Sequence, residues 1–128
     1  YGLFKTELGR TGKNLLGGEE KDIFFRLKKH KLAIWYVPYI WVYHIIPQQR
    51  TTKDFIMKQA IGVGQSEYFR SKSNIVAYSS SICKELIKWG VSKLLALGYT
   101  IQAKPQKAAM ILQFRYYVSL GLLGIKRV

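Results

Sequence analysis

The hydrophobic pattern changes character near residue 50. Residues 1–18 show no period and carry Gly2, Gly9, Gly12, Gly17 and Gly18, which reads as loop. The stretch 19–31, EEKDIFFRLKKHK, reads as a helix. Gly18 is an acceptable N-cap there. Glu19, Glu20 and Asp22 fill the first turn and Lys28, Lys29 and Lys31 the far end, as the helix dipole favours. Asp22 stands four residues before Arg26, a spacing that suits a solvated ion pair. Residues 33–46, AIWYVPYIWVYHII, are β-branched and aromatic on both parities, which predicts a strand buried on both faces. Pro38 divides that run and Pro47 ends it.

Beyond residue 50 the period becomes helical. Thr51 or Thr52 caps a helix reaching about Arg70, with Phe55, Ile56, Gln59, Ala60 and Val63 on or near one side. Residues 71–74, SKSN, form a linker; a long helix follows over about 75–101, and another runs from Pro105 toward Leu123. On the long helix, Ser81, Lys84, Glu85, Lys88 and Ser92 make a polar side, and Ile82, Leu86, Ile87, Trp89, Leu94, Leu95 and Leu97 cover the rest. Gly62-Val63-Gly64 lacks the setting and the Lys-Ser/Thr ending of a phosphate loop, so it predicts close packing or a bend.

Charge adds a partner class to this picture. The 128 residues hold 21 Lys and Arg against 7 Asp and Glu, a net of +14. Such a surface draws polyanions: nucleic acid, anionic lipid or phosphorylated substrates. Residues 51–128 alone carry 12 bases and 3 acids, so most of the attraction lies in the helical half. The single cysteine, Cys83, excludes an internal disulfide and a cysteine zinc cage, and a reducing compartment follows as the simpler expectation. No run of about 18 apolar residues predicts a membrane span.

The stretch most informative about chemistry is Leu16-Gly17-Gly18-Glu19-Glu20-Lys21-Asp22-Ile23-Phe24-Phe25-Arg26-Leu27. It resembles the acidic motif of family 2 inverting glycosyltransferases, a Gly-Glu-Asp pattern leading into an amphipathic helix. Gly2-Leu3-Phe4 and Glu7-Leu8-Gly9 upstream, and Ile34-Trp35-Tyr36-Val37-Pro38 and Val42-Tyr43-His44 downstream, look like the flanks of that motif. The likeness covers residues 1–50 and continues more loosely into a basic helical tail. It departs from the pattern at Lys5 and Thr6, where an Asp-Glu pair is usual, at Glu20 in place of Asp, and at Tyr39 in place of Asp.

The resemblance implies a specific chemistry. An acceptor hydroxyl attacks the anomeric carbon of a nucleotide sugar while the nucleoside diphosphate leaves. A carboxylate takes the hydroxyl proton during attack, because the alcohol is a weak nucleophile. Glu20 aligns with that base. It falls with Phe24 and Leu27 at i, i+4, i+7 on one apolar stripe, which sets it at the mouth of a packed side. Glu19, Gly17 and Gly18 would position the acceptor. Acids in a first helical turn are otherwise common stabilisers, each contributing a few tenths to about 1 kcal/mol. His44 shares strand parity with Ile40, Val42 and Ile46. A histidine on an apolar face is commonly a hydrogen-bonded core residue; the resemblance instead brings it near a metal or diphosphate. Arg50 could touch a phosphate or simply face water. A divalent cation, Mg or Mn, is implied by the family alone.

The fold expected is therefore an α/β fragment, predominantly helical. Residues 1–50 are the acceptor-side, C-terminal part of a GT-A-like catalytic domain, and 51–128 a basic amphipathic helical extension. The chain opens at Tyr1 inside a Gly-rich turn pattern, as a piece of a longer polypeptide would. Nucleotide-binding βαβ units and a metal-binding Asp-x-Asp are missing from these residues, so the donor half is expected elsewhere. The expected partners are a nucleotide-sugar donor, a carbohydrate or lipid-linked acceptor, and an anionic membrane surface at the cytoplasmic face. Two other classes fit the charge: a membrane-peripheral adaptor without catalysis, and a nucleic-acid-binding module. The second lacks a nucleic-acid-binding motif, and its aromatics lie in apolar runs rather than among bases.

Overall fold

The structure is a computed structural model that describes residues 2–8, 15 and 17–125. It is predominantly helical. The α-helices are α1 (Glu19–Lys29), α2 (Lys53–Ser71), α3 (Ile75–Ile101) and α4 (Pro105–Leu122), with 3-10 turns at Thr6–Leu8 and Gln48–Thr51. Each helix begins and ends where local chemistry dictates. The Thr52 hydroxyl accepts from the Phe55 N–H at 3.3 Å, and the Asn74 carboxamide accepts from Val76 and Ala77 at 2.9 and 3.1 Å. Pro105 opens α4, where its missing N–H costs nothing. The helices α1, α3 and α4 end in the same left-handed turn, at Lys31, Ala103 and Gly124. In each, paired backbone bonds reach back into the last turn, as Leu32 N–H to Leu27 carbonyl and Lys31 N–H to Lys28 carbonyl do for α1.

The helix α4 is the centre of the bundle. It packs most closely on α2 and next on α3, while α2 and α3 touch each other little. The contact with α2 is made backbone to backbone at Gly64 and Gly121. A Cβ on Gly64 would stand 2.0 Å from the Val118 carbonyl oxygen, and one on Gly121 would stand 2.2 Å from that of Ile61. The Gly-Val-Gly segment thus serves close packing, as its sequence suggests. The buried face of α2 is correspondingly small: Ala60, Gly62, Gly64, Ser66 and Ser71, while Val63 is exposed.

The contact between α3 and α4 reverses the ordinary polarity of a soluble bundle. The inward residues of α3 are Ser81, Glu85, Ser92 and Ala96. Glu85 meets Arg115 at 3.3 Å and accepts from the Ser119 hydroxyl at 3.1 Å; the Trp89 indole donates to Ser119 at 2.9 Å. The apolar residues opposite the polar side of α3, among them Leu86, Ile87, Leu94 and Leu97, point outward. No large side chain is fully buried among the described residues; the apolar core is Leu8, Ala60, Ala96, Ala108, Val118 and Leu122. A polar and small-residue interior with an apolar exterior is how helices associate where the surroundings are as apolar as leucine.

The strand expected over 33–46 does not form; no strand occurs among the described residues. The segment runs as exposed irregular chain with a turn at Pro38 and Tyr39, and Trp35, Trp41 and Tyr43 are 84%, 84% and 97% exposed. The physical reason is the absence of a partner. A strand apolar on both faces gains its stability from sheet neighbours and covering layers, and residues 17–125 offer it neither.

Candidate functional site

The helix α1 begins on a glycine pair that α2 fixes from below. The Gly17 N–H donates to the Ser66 hydroxyl at 3.2 Å, and Ser66 itself donates to the Gly62 carbonyl at 2.8 Å. Gly18 is buried, and a Cβ there would meet the Ser66 Cβ at 3.2 Å, so the approach leaves little room for a side chain. The Gly18 N–H donates to the Glu19 carboxylate at 3.0 Å, and the Gly18 carbonyl takes the first helical bond from Asp22 at 2.8 Å. Glu19 thus turns back on the start of its own helix, as a first-turn acid does.

Glu20 faces the other way. It is exposed and makes no hydrogen bond or ion pair with a described residue. It lines an open hollow of about 480 Å³ with Lys21, Phe24, Phe25, Lys28 and Ile34, an apolar floor under a carboxylate and two ammonium groups. The stripe of Glu20, Phe24 and Leu27 is not the packed side of α1, since Phe24 is 51% exposed. Asp22 takes the inward position instead.

Asp22 was expected to be solvated and is buried at 5% exposure. Its carboxylate binds Arg26 at 2.9 Å and Lys5 at 3.4 Å, and Arg26 also donates to the Leu3 carbonyl at 2.8 Å. The pair four residues apart forms as its spacing predicts. Its burial comes from residues 3–8 folding across α1, which helical spacing does not encode.

His44 and Arg50 are not brought to this site. His44 lies in the exposed segment, on no apolar face, and Arg50 is exposed in the 3-10 turn at Gln48–Thr51. Neither lines the hollow with Glu20. Parity arguments for His44 depended on a strand that does not form within these residues. The upstream pieces Leu3, Phe4 and Leu8 are described, whereas Gly9 and Leu16 lie outside the described residues, as does the side chain of Glu7. No group of three or more His, Cys, Asp or Glu residues is arranged to hold a metal among the described residues.

Sequence reasoning missed a second cluster, on the other side of Lys21 and Phe25. Glu67 of α2 is bound by Arg70, by Lys21 at 3.5 Å and by the Ser81 hydroxyl at 3.0 Å. Burial pushes the Glu67 carboxyl up, but Arg70, Lys21 and the Ser81 bond together outweigh it and hold the group below its ordinary value. A carboxyl depressed in the folded state stabilises the fold fully above its unfolded pKa. That contribution is lost as pH falls through the folded value. Acid titration of unfolding stability is expected to show this loss, and Glu67→Gln to flatten that part of the profile; an unchanged acid limb would remove Glu67 as its source. The charged spacing Glu67 to Arg70 was the available signal, but it is equally that of a surface pair.

No helix among the described residues is long and apolar enough to cross a membrane. No protein-family model, curated protein or solved structure matches the chain.

Proposed function

We propose that this chain is the acceptor-side part of an inverting, nucleotide-sugar-dependent glycosyltransferase, with Glu20 as the base that deprotonates the acceptor hydroxyl. The observation that carries the reading is the placement of Glu20. Its carboxylate bonds to no described residue and stands at the rim of an aromatic hollow, at the head of a helix whose start is fixed by Gly17, Gly18 and Ser66. A sugar ring stacks its C–H faces on aromatic groups while its hydroxyls seek polar rims, and Phe24 and Phe25 beside Glu20 and Lys28 meet both needs. The helix start fixes the backbone from which the Glu20 side chain projects.

The exposed segment 33–46 supports the same reading. Its apolar side chains need a sheet, and the donor-binding unit of a GT-A-like domain supplies one in the complete enzyme. In that setting 33–46 becomes the strand its pattern describes, and His44 and Arg50 approach the donor diphosphate and its Mg or Mn ion. The outward apolar face of α3, with Lys93 in its midst, suits a peripheral position on an anionic membrane surface, where a lipid-linked acceptor is at hand.

Stereochemistry tests the proposal. The polypeptide that includes the donor-binding unit is expected to release nucleoside diphosphate only when acceptor is present, and to invert the anomeric configuration of the transferred sugar. Retention at the anomeric carbon, read by proton NMR of the first product formed, would refute a single displacement with Glu20 as base.

A further inference from the structure

The structure assigns a phosphate-binding site to the cavity enclosed by the start of α1 and by α2, α3 and α4. This cavity measures about 300 Å³ and is more closed than the hollow beside Glu20. Four cations line it, Lys21, Arg70, Lys84 and Lys88, against two carboxylates, Glu67 and Glu85. Both carboxylates are already compensated. Glu67 holds Arg70, Lys21 and Ser81, and Glu85 is held by Arg115 and Ser119 from behind and by Lys88 at 4.0 Å. Positive charge is still left over: the Arg70 side chain lies inside at 16% exposure, and the three lysines reach in from the exposed rim.

One atom points to the ligand. Arg70 is held at two places: one guanidinium nitrogen, Nη2, on Glu67, and its plane against the Phe25 ring with the central carbon 5.6 Å from the centroid. The other nitrogen, Nη1, is buried and has no hydrogen-bond partner among the described residues. A buried N–H of a charged group without an acceptor is costly and is rarely left in that state. Lys84 is likewise without an ion-pair partner among the described residues. A phosphate is an oxygen-rich anion of suitable charge, able to accept from the Arg70 fork and from flanking ammonium groups at once. Carboxylate ligands would fit the charge but offer fewer acceptor oxygens to these separated donors.

Lys21 and Phe25 line both this cavity and the hollow that holds Glu20. A ligand with its phosphate on Arg70 thus extends over the Phe25 ring toward the Glu20 side. The site needs no catalytic role for Glu20, so its failure and that of the transferase reading are separate results.

The test uses the full chain, titrated with inorganic phosphate at constant ionic strength and followed by calorimetry and phosphorus NMR. Saturable one-to-one binding is expected. Lys84→Gln removes an exposed side chain with no ion-pair partner among the described residues, so it is expected to leave the fold intact and to weaken binding about tenfold, the effect of removing one charged hydrogen bond. Arg70→Lys keeps the charge opposite Glu67 and deletes Nη1, with a similar loss. Non-saturable binding, or equal affinity in wild type and both variants, overturns the site and leaves Nη1 to a water molecule. Glycerol phosphate and vesicles containing phosphatidic acid then separate the two sources of the group. Competition by glycerol phosphate without retention on vesicles identifies a soluble phosphomonoester. Retention on those vesicles that Lys84→Gln abolishes, with phosphatidylcholine vesicles as the blank, identifies a lipid headgroup.

Discussion

On the proposed transferase reading, Glu20→Gln is expected to lower turnover about a thousandfold, on the order of 4 kcal/mol in activation free energy, while leaving stability unchanged. The loss of turnover rests on the proposed role of Glu20, and the unchanged stability follows from the structure. The Glu20 side chain is exposed and bonds to no described residue, so the amide loses no packing and no ion pair. The amide also keeps the shape and polarity of the rim but cannot accept a proton at neutral pH. Substrate affinity should change little, which separates a base from a binding residue: turnover falls and the Michaelis constant holds. Glu20→Asp should retain part of the activity, because the family pattern carries Asp there and only the reach is shortened. An unchanged rate in Glu20→Gln would sink the catalytic role of this residue, and a lost rate with lost folding would say nothing about the base; circular dichroism and the melting temperature distinguish the two. Glu19→Gln is the internal comparison. Its carboxylate is held on the Gly18 N–H, so its loss is expected to act on helix stability and acceptor placement rather than on proton transfer.

Gly64→Val is expected to destabilise the bundle by about 4 kcal/mol, near the upper end of single-residue effects. The clash is with backbone, not with a side chain that can rotate away: the first added carbon alone would stand 2.0 Å from the Val118 carbonyl oxygen and 2.7 Å from the Leu122 nitrogen. The two helices would have to move apart, and the rest of that interface is too small to follow, being built from Ala60, Val118 and Leu122. Gly90→Ala provides the opposite sign. Nothing lies within 4 Å of its added carbon, and the substitution in mid-helix should stabilise by about 1 kcal/mol through helix propensity. Chemical denaturation of the two variants reads both effects on one scale. Equal midpoints for Gly64→Val and wild type would mean that α2 and α4 do not meet as described.

These expectations together describe an unusual division of surface. The residues that hold the bundle together are small or polar, and the large apolar residues are turned outward on α3 and along 33–46. Exposed apolar area of that extent marks an interaction surface. The two regions differ in what they suit. The outward face of α3 is one long helical stripe with lysines in and beside it, a shape that lies flat on a lipid surface. The segment 33–46 has both parities apolar and a proline turn, a pattern that suits insertion between other strands.

Local chemistry sufficed for much of this protein. Thr52 and Asn74 at helix starts, Pro105 at a first turn, and acids before bases along 19–29 are decided by neighbours within four residues, and the four helices appear where those signals stand. The pairing of Asp22 with Arg26 and the small-residue packing near Gly64 were readable for the same reason. What the tertiary structure alone decided is which side of each helix faces inward. Amphipathic spacing marks two sides of a helix but not which one is buried, and on α3 it is the polar side, because Arg115 and Ser119 of α4 satisfy Glu85 there. It also decided that 33–46 stays irregular, since a strand is a property of its neighbours rather than of its own residues. The Arg70 cavity, finally, joins residues from all four helices, and no spacing along the chain could have brought Lys21, Arg70 and Lys84 together.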